Sequence, residues 1–590
     1  MSRLRYLTAG ESHGPGLVGI LEGLPAGLPL ESAEIDRDLA RRQQGYGRGG
    51  RMRIEQDAAE IISGVRFGKT LGSPLALLIR NRDFANWTSR MQVEPGGPDP
   101  KPVTVPRPGH ADLAGGLKYG HLEDLRNVLE RASARETAMR VALGGVARAF
   151  LRDVGIEVGS FVRSIGAAEA LPLQGNAAQL HREDAEGLAL LADQTETRAL
   201  DEESSRRFVD AIDAARRRRD TLGGVIEVVA THVPPGLGSH VHWDRKLDGR
   251  LARALMSIPA IKAVEIGDGW LSARRFGSET HDPISLGGGA LVRTSNRAGG
   301  LEGGITNSEP LVCRLAMKPL ATVPAALPSV DLAKLAAMPA HVERSDTCAV
   351  PAAGVIAESI LALTLADALL EVLGGDTMAG LRLPLARLRL ATRTSLGHIF
   401  LIGPMGSGKT SAGLALARRL SRPFVDLDGR IEARAGVSVA QIFQRTGEQS
   451  FRELEAKTLA EAAGEPPAVI ALGGGAIQNE TAWRLMRQTG ITLGLRAPPE
   501  ESIRRIRSSD RPIEARPLLA GGDPVGALRK LSATRERYYA RADLDLDTEG
   551  LDAEAVAAAA VGLIDAVKGS LTGRPAEGPA RGIAAPEGEA

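Results

Sequence analysis

The sequence predicts a chain of two domains, the second an α/β domain on a parallel sheet, and three observations carry the expectation. At 590 residues the chain exceeds what one compact core usually organises. The apolar run HIFLI leads into GPMGSGKT and then into the Ala- and Leu-rich SAGLALARRL, the order strand, glycine-rich loop, helix. Between Gly374 and Leu396 the character changes: GGD is followed by LRLPLARLRLATRTSL, with one Pro, four Arg and no acid. The expected boundaries are therefore 1–375 for the first domain, 376–396 for a linker, and 397–567 for the second domain. A helix packed on either neighbour is the alternative for 376–396. From Lys568 to Ala590 the chain is rich in Gly, Pro and Ala, and a disordered tail is expected.

Composition excludes several function classes. Lys and Arg number 73 against 72 Asp and Glu, so no overall field favours nucleic acid or an anionic membrane. Stacking aromatics, at 3%, are also scarce. Only Cys313 and Cys348 occur, too few for a disulfide framework and in keeping with a reducing compartment. The start, MSRLRYLTAGESHG, lacks the apolar stretch of a signal peptide. The longest apolar run, SILALTLADALLEVL, carries Asp367 and Glu371, which suits a buried helix rather than a membrane span. The expectation is a cytoplasmic protein acting on small molecules, with no nucleic-acid or membrane partner.

The glycine-rich loop carries the clearest chemistry. Gly403, Gly406 and Gly408 let backbone amides approach phosphate oxygens, and the helix that follows, through Ser407 and Ser411, adds its N-terminal potential. Lys409 reaches the outer phosphates and the Thr410 hydroxyl can ligate Mg²⁺, so ATP is the expected ligand. In PFVDLDGRIEARAG, Asp426 and Asp428 stand on alternate positions at the end of a second apolar strand, one suited to the metal shell and the other to an acceptor hydroxyl. With IFQRTGEQSFRELE, AVIALGGGAI, ARPLLAG and TRERYYARAD following in order, this half resembles the shikimate kinase family. The resemblance implies that Asp428, Arg452, Gly473, Gly474, Gly475 and Arg535 bind shikimate, Asp428 also taking the hydroxyl proton and Lys409 acting in catalysis. It implies that Arg516 belongs to a lid over ATP, with Arg507 and Arg511 as further lid candidates. Arg forks grip a carboxylate in two places and Asp accepts from hydroxyls, which fits such a substrate. A kinase of another small polyol acid, or an ATP-regulated binding module, are the competing readings.

The first half has no universal nucleotide motif. GYGRGG (45–50) formally matches GxGxxG, but the polar DRDLARRQQ precedes it where a dinucleotide turn needs an apolar strand. The run Arg216–Arg219 follows an amphipathic stretch and decorates a helix C-terminus. What stands out is positive charge set among glycines, in ARRQQGYGRGGRMRIE, RPGHADLAGG and LERASARETAMR, a setting for ligands bearing several phosphates or carboxylates. His13 in GESHGPG and His110 in RPGHAD sit in glycine-bounded loops beside these arginines and suggest proton transfer.

GESHG, RRQQGYGR, RPGHADL, ERASARETA, HVPPGLGSHVHWDRKLD, RTSNRAGGLEGGI, MKPLAT and ERSDTCAVPA, in this order from about Arg3 to Leu373, resemble the chorismate synthase family. The resemblance implies an α+β fold with two antiparallel sheets around helices, a homo-tetramer, and a 1,4-elimination of phosphate from 5-enolpyruvylshikimate-3-phosphate that needs reduced FMN. It implies that His13 and His110 form the acid–base pair and that Asp346 aids proton removal. Flavin contacts would include Arg131, Ala132, Ser133, Pro259, Ala260, Gly303, Lys318, Pro319, Leu320, Ala321, Thr322 and Arg344. Arg42 and Arg48 match positions for NADPH or for the substrate phosphate. One departure is visible: the family's ITNGEP reads ITNSEP here, so Ser308 carries strain if that position needs positive φ.

Overall fold

A computed structural model of the chain describes residues 3–49, 56–95, 101–287, 289–343, 346–508, 519 and 523–568. The chain divides into two compact units, one of residues 1–285 with 293–381 and the other of 382–590 with 286–292.

In the first unit, β1 (Arg5–Ala9), β2 (Gly16–Glu22), β3 (Glu60–Ser63) and β4 (Leu75–Arg80) form an antiparallel sheet in the order β1-β2-β4-β3. A second antiparallel sheet takes β5 (Glu157–Ile165), β6 (Ala168–Glu169), β7 (Gly224–Thr231), β8 (Ile261–Ile266) and β9 (Leu311–Met317), ordered β8-β9-β7-β5-β6. Alternation sets the faces: along β4, Leu75, Leu77 and Ile79 are buried while Arg80 is exposed. Its helices include α1 (Ser32–Gln43), α2 (Asp112–Tyr119), α3 (Arg126–Ala132), α4 (Thr137–Asp153) and α5 (Val350–Leu373). Helix α4 packs on β2 and β4, α5 packs on β5 and β7, and the two helices pack on each other, giving the expected sandwich of helices between two sheets. Their approach depends on Gly144, where a Cβ would strike the Ser359 side chain.

Helix α5 is apolar on every side because every side is covered. Ninety-four per cent of its most apolar window is buried, which makes it the core helix its acids suggested. Its one fully enclosed acid, Glu358, is saturated: it accepts from Arg41 (2.7 and 3.0 Å), Arg148 (2.7 Å), Arg198 (3.0 Å) and the Ser160 hydroxyl (2.7 Å). Burial pushes this carboxyl up, but the three guanidinium charges outweigh it and bring it down to about 2.

The stretch 376–396, of which 382–396 falls in the second unit, holds helix α6 (Met378–Leu390), the packed-helix alternative, despite Pro384 within it. Ala386, Leu390 and Leu396 join the core of Ile399, Leu401 and Leu493. Five parallel strands follow: β10 (His398–Ile402), β11 (Phe424–Asp426), β12 (Val469–Ala471), β13 (Gly490–Arg496) and β14 (Leu544–Asp547), in the order β11-β12-β10-β13-β14. Helices α7 (Lys409–Arg419), α8 (Leu427–Ala435), α9 (Val439–Ala463), α10 (Glu480–Thr489), α11 (Pro499–Arg507), α12 (Pro524–Tyr539) and α13 (Ala553–Lys568) connect and flank them. Helix α9 is broken at Gly447 (φ 82°), so Arg452 lies on its second piece. The carboxyl ends of β10, β11 and β12 lead into the glycine-rich loop, Asp426 and the Gly473–Gly475 turn, the edge where open α/β sheets bind ligands.

Candidate active sites

In the first unit the loop after β1 carries His13, and neighbours hold it from three sides. The Asn81 amide donates to the carbonyls of Glu11 (3.1 Å) and Gly14 (2.8 Å), and Ser133 Oγ donates to Ser12 Oγ (3.1 Å). His13 Nδ1 lies 2.8 Å from Glu130 Oε1, its backbone N–H donates to Glu130 Oε2 (2.7 Å), and its ring stacks on Trp87 at 3.9 Å between centroids. Burial pushes the Glu130 carboxyl up, but the His13 contacts and Arg126 (3.0 Å) bring it below the ordinary range. An ionised carboxylate only accepts, so Nδ1 bears a proton and Nε2 is the atom left for chemistry.

His110 repeats the arrangement. Its Nδ1 lies 2.6 Å from Asp112 Oδ1, while Arg107 Nε donates to Asp112 Oδ2 (2.8 Å) and Arg107 Nη1 to Thr322 Oγ1 (3.0 Å). Burial raises the Asp112 carboxyl, but His110 and Arg107 hold it far below the usual carboxylate value. Lys318 Nζ donates to Gly109 O (2.6 Å) and its backbone N–H to Ala260 O (2.9 Å), which joins the 318–322 segment and the 259–260 turn to this loop. Ala260 holds φ 68°, a strained value for a residue with a Cβ.

A third group is Asp346, which pairs with Arg48 Nη1 (2.8 Å) and accepts from Gly49 N (2.6 Å). Arg42 is buried beside it, donating to Thr137 Oγ1 and Ala134 O, while its Nη1 finds no hydrogen-bond acceptor among the described residues. Arg131 is exposed and donates to the Thr8 and Gly10 carbonyls. Gly303 turns a short hairpin of Leu301–Glu302 and Ile305–Thr306 at φ 59°, with open space where a Cβ would stand. The buried Arg42 guanidinium, two histidines each held at Nδ1 by a carboxylate, and surrounding arginines fit a phosphorylated substrate and a flavin phosphate.

In the second unit the glycine-rich loop has left-handed Gly403 (φ 150°), Gly406 (φ 80°) and Gly408 (φ 91°), the last capping α7 without a side-chain bond. A Cβ on Gly406 would strike the Ser502 carbonyl. Lys409 Nζ folds onto the carbonyls of Gly403 (2.8 Å) and Pro404 (2.9 Å), and the buried Ser407 Oγ has no partner among the described residues. Thr410 Oγ1 donates to Asp426 Oδ2 (3.0 Å). This pair supplies two oxygens for Mg²⁺, whose remaining ligands come from phosphates and water, so the residues fit MgATP. Ser411 is exposed on α7.

Beside the loop, three successive glycines gather the acceptor side. A Cβ on Gly473 would lie 2.5 Å from Asp428 Oδ1 and 3.0 Å from Glu455 Oε1, one on Gly474 would lie 3.3 Å from Arg535 Nη1, and one on Gly475 would strike the Arg452 guanidinium. Arg452 Nη1 donates to Glu455 Oε2 (2.7 Å), and Arg535 Nη1 donates to Gly474 O (2.7 Å). Burial pushes Glu455 up to about 7, with the Asp428 charge adding to the rise and Arg452 opposing it. An acid and two forked cations around a bare backbone turn suit a small hydroxy acid.

The chorismate synthase family model matches residues 4–370, and the shikimate kinase family model matches residues 405–564. A chorismate synthase of Symbiobacterium thermophilum is 57% identical over 382 residues, covering 64% of this chain and 96% of its own. A crystal structure of chorismate synthase is similar at 48% identity and TM-score 0.53, over 65% of this chain and 97% of that one. A shikimate kinase from Acinetobacter baumannii, in complex with shikimate, is 35% identical over 30% of this chain and 96% of its own, with TM-score 0.28. The chain belongs to the chorismate synthase family, and its residues 405–564 to the shikimate kinase family.

It is a fusion of both enzymes of aromatic amino-acid biosynthesis. In the chorismate synthase unit the expected His13 and Ser133 share one network, and His110, Lys318, Thr322 and Ala260 share a second. Ala321 sits near Gly109, the Leu320 carbonyl accepts from Thr221, Pro319 is exposed, Pro259 is half-buried and Ala132 closes α3. Gly303 joins neither network among the described residues. Arg344, like Arg511 and Arg516 that were expected in a lid, lies outside the described residues; Arg507 ends α11, exposed. Ser308 has φ 79°, as expected if its position needs left-handed backbone.

Sequence reasoning passed over Glu130, Asp112, Trp87 and Glu455. Asp112 had a signal, two residues beyond His110 in RPGHAD, and Glu455 stands three beyond Arg452 on a helix, the spacing that brings side chains together. Trp87 had none, since only tertiary packing brings it to His13.

Proposed function

We propose that the first unit eliminates phosphate from 5-enolpyruvylshikimate-3-phosphate in the 1,4 sense to give chorismate, and that the second transfers the γ-phosphoryl group of MgATP to the 3-hydroxyl of shikimate. The pairing of both histidines with ionised carboxylates supports the first reading. Each presents Nε2, one to carry a proton to the departing phosphate and the other to hold a proton at the flavin. Arg42 and Arg48 bind the substrate phosphate or an NADPH phosphate, and Asp346 takes part in removing the proton. Reduced FMN, when bound through Arg131, Ser133, Lys318 and their neighbours, supplies transient electron density and is not consumed overall.

In the kinase unit Asp428 accepts the hydroxyl proton while Arg452 and Arg535 grip the carboxylate. Lys409 leaves its loop carbonyls for the phosphates, and Thr410 with Asp426 holds Mg²⁺. Arg516 closes with the lid. The exposed apolar face of β1 and β2, with Leu7, Val18 and Ile20, supports association of the synthase unit into a tetramer. Cytoplasmic location follows from the substrates.

The test is anaerobic phosphate release and chorismate formation without ATP, in reduced FMN, oxidised FMN and no flavin. Turnover with reduced FMN alone is expected. No turnover by folded, flavin-saturated protein would overturn the reading of the first unit and leave the kinase standing.

A further inference from the structure

A second anion-binding feature lies at the end of the kinase sheet opposite the glycine-rich loop, where β13 begins beside His398 of β10. There the charges of Arg382, Arg389, Arg393, Arg487 and Arg541 gather around Asp543. Asp543 is already committed: one carboxylate oxygen accepts from Arg389 Nη1 (2.9 Å), and the other from Thr492 N (2.9 Å) and Thr492 Oγ1 (2.7 Å). Arg393 donates to the carbonyls of Arg487 (3.1 Å) and Gln488. Arg487 and Arg541 both lie over the ring of the buried Trp483, 5.3 and 4.9 Å from its centroid.

Arg487 has two buried donors without a hydrogen-bond acceptor among the described residues, its Nε and Nη2, and Arg541 has one, its Nε. Arg487 lines a small cavity with Arg389, Leu390, Arg393, Ile491 and Asp543, with room for about one water-sized guest. A guanidinium cannot shed its proton to escape burial, and the neighbouring arginines repel it. Burial and those charges push Arg487 well below the ordinary arginine value, the direction expected of a cation lacking its counter-ion. A monoatomic anion suits so small a space, and a neutral water leaves the charge uncompensated.

We propose that the cavity binds a monoatomic halide, chloride under ordinary conditions, on Arg487 Nε and Nη2. The ion ties the segment Ala386–Arg393 to the C-terminal end of α10 and the start of β13, so docking of α6 on the kinase sheet depends on halide. No group of the phosphoryl-transfer site takes part.

The experiment is calorimetric unfolding of the full chain at fixed ionic strength, in sodium chloride, bromide or isethionate, following the transition that ADP raises. Chloride and bromide should raise that transition saturably, by roughly 2–4 °C, and isethionate should not. Arg487→Met should abolish the halide effect. Equal melting in chloride and isethionate would mean that water fills the cavity and would overturn the proposal, as would an unchanged halide effect in R487M. If R487M fails to fold, bromide-soaked wild-type crystals decide: an anomalous peak at Arg487 supports the site and its absence refutes it.

Discussion

Glu455→Gln sets stability against function in the kinase unit, and its size follows from the environment of one carboxyl. Burial lifts Glu455 from 4.5 to about 7 even with Arg452 at 2.7 Å, so ionising it in the folded protein costs about 3 kcal/mol relative to the unfolded chain. The folded state binds the extra proton between these values. This contribution to stability is therefore complete below pH 4.5, declines as pH rises, and is gone above about 7. Glutamine mimics the protonated acid, keeps an oxygen for Arg452, and removes the cost. At pH 8 the variant should exceed wild type by about 1–3 kcal/mol, the lower figure allowing for a weaker bond to Arg452. Arg452 also loses the anion that orients it, so KM for shikimate should rise about tenfold with KM for ATP unchanged. Denaturant unfolding of the ADP-stabilised transition from pH 4.5 to 8.5, with coupled kinase assays, tests both halves. Parallel stability curves for wild type and variant would refute the assignment of the titration to Glu455.

Other perturbations separate the two sites. Arg452→Ala should cut kcat/KM for shikimate by about 10²-fold or more while sparing KM for ATP, with Arg452→Lys intermediate because it keeps charge but loses the fork; unchanged kinetics in coupled assays would show that the carboxylate binds elsewhere. Glu130→Gln should lower anaerobic chorismate formation by about 10²-fold and leave kinase turnover untouched, since His13 loses the carboxylate that holds its Nδ1 proton. Ser308→Gly should stabilise the synthase unit by about 1 kcal/mol and so raise its melting temperature, as it relieves φ 79° and deletes a buried hydroxyl without a hydrogen-bond partner among the described residues; a lower melting temperature would contradict the strain.

The kinase half is legible because its chemistry is local: strand, loop and helix around Lys409 are consecutive, and each glycine answers to a backbone requirement visible in the motif. The synthase half is not local. His13 meets Glu130 across 117 residues and Gly49 meets Asp346 across 297, so spacing carries no trace of either pair, and the family resemblance had to bring those segments together. Residues 376–396 were ambiguous for a different reason. Pro384 and four arginines argue for a linker on propensity, while Ala386 and Leu390 gain their helix from packing on the sheet that follows. Glu455 was hidden because an acid beside an arginine on a helix reads as an exposed pair until burial is known.

Helix α5, the last element of its unit, also orders events during synthesis. Glu358 closes on Arg41 from 317 residues earlier, and the second sheet and helix α4 lack a packing partner until Val350–Leu373 has left the ribosome. The synthase half therefore emerges with the apolar face of its second sheet uncovered and completes itself only as the first residues of the kinase are being translated. Chain order thus places the self-contained, later-made kinase behind a slow, non-local partner whose exposed intermediate is the stage most in need of chaperones.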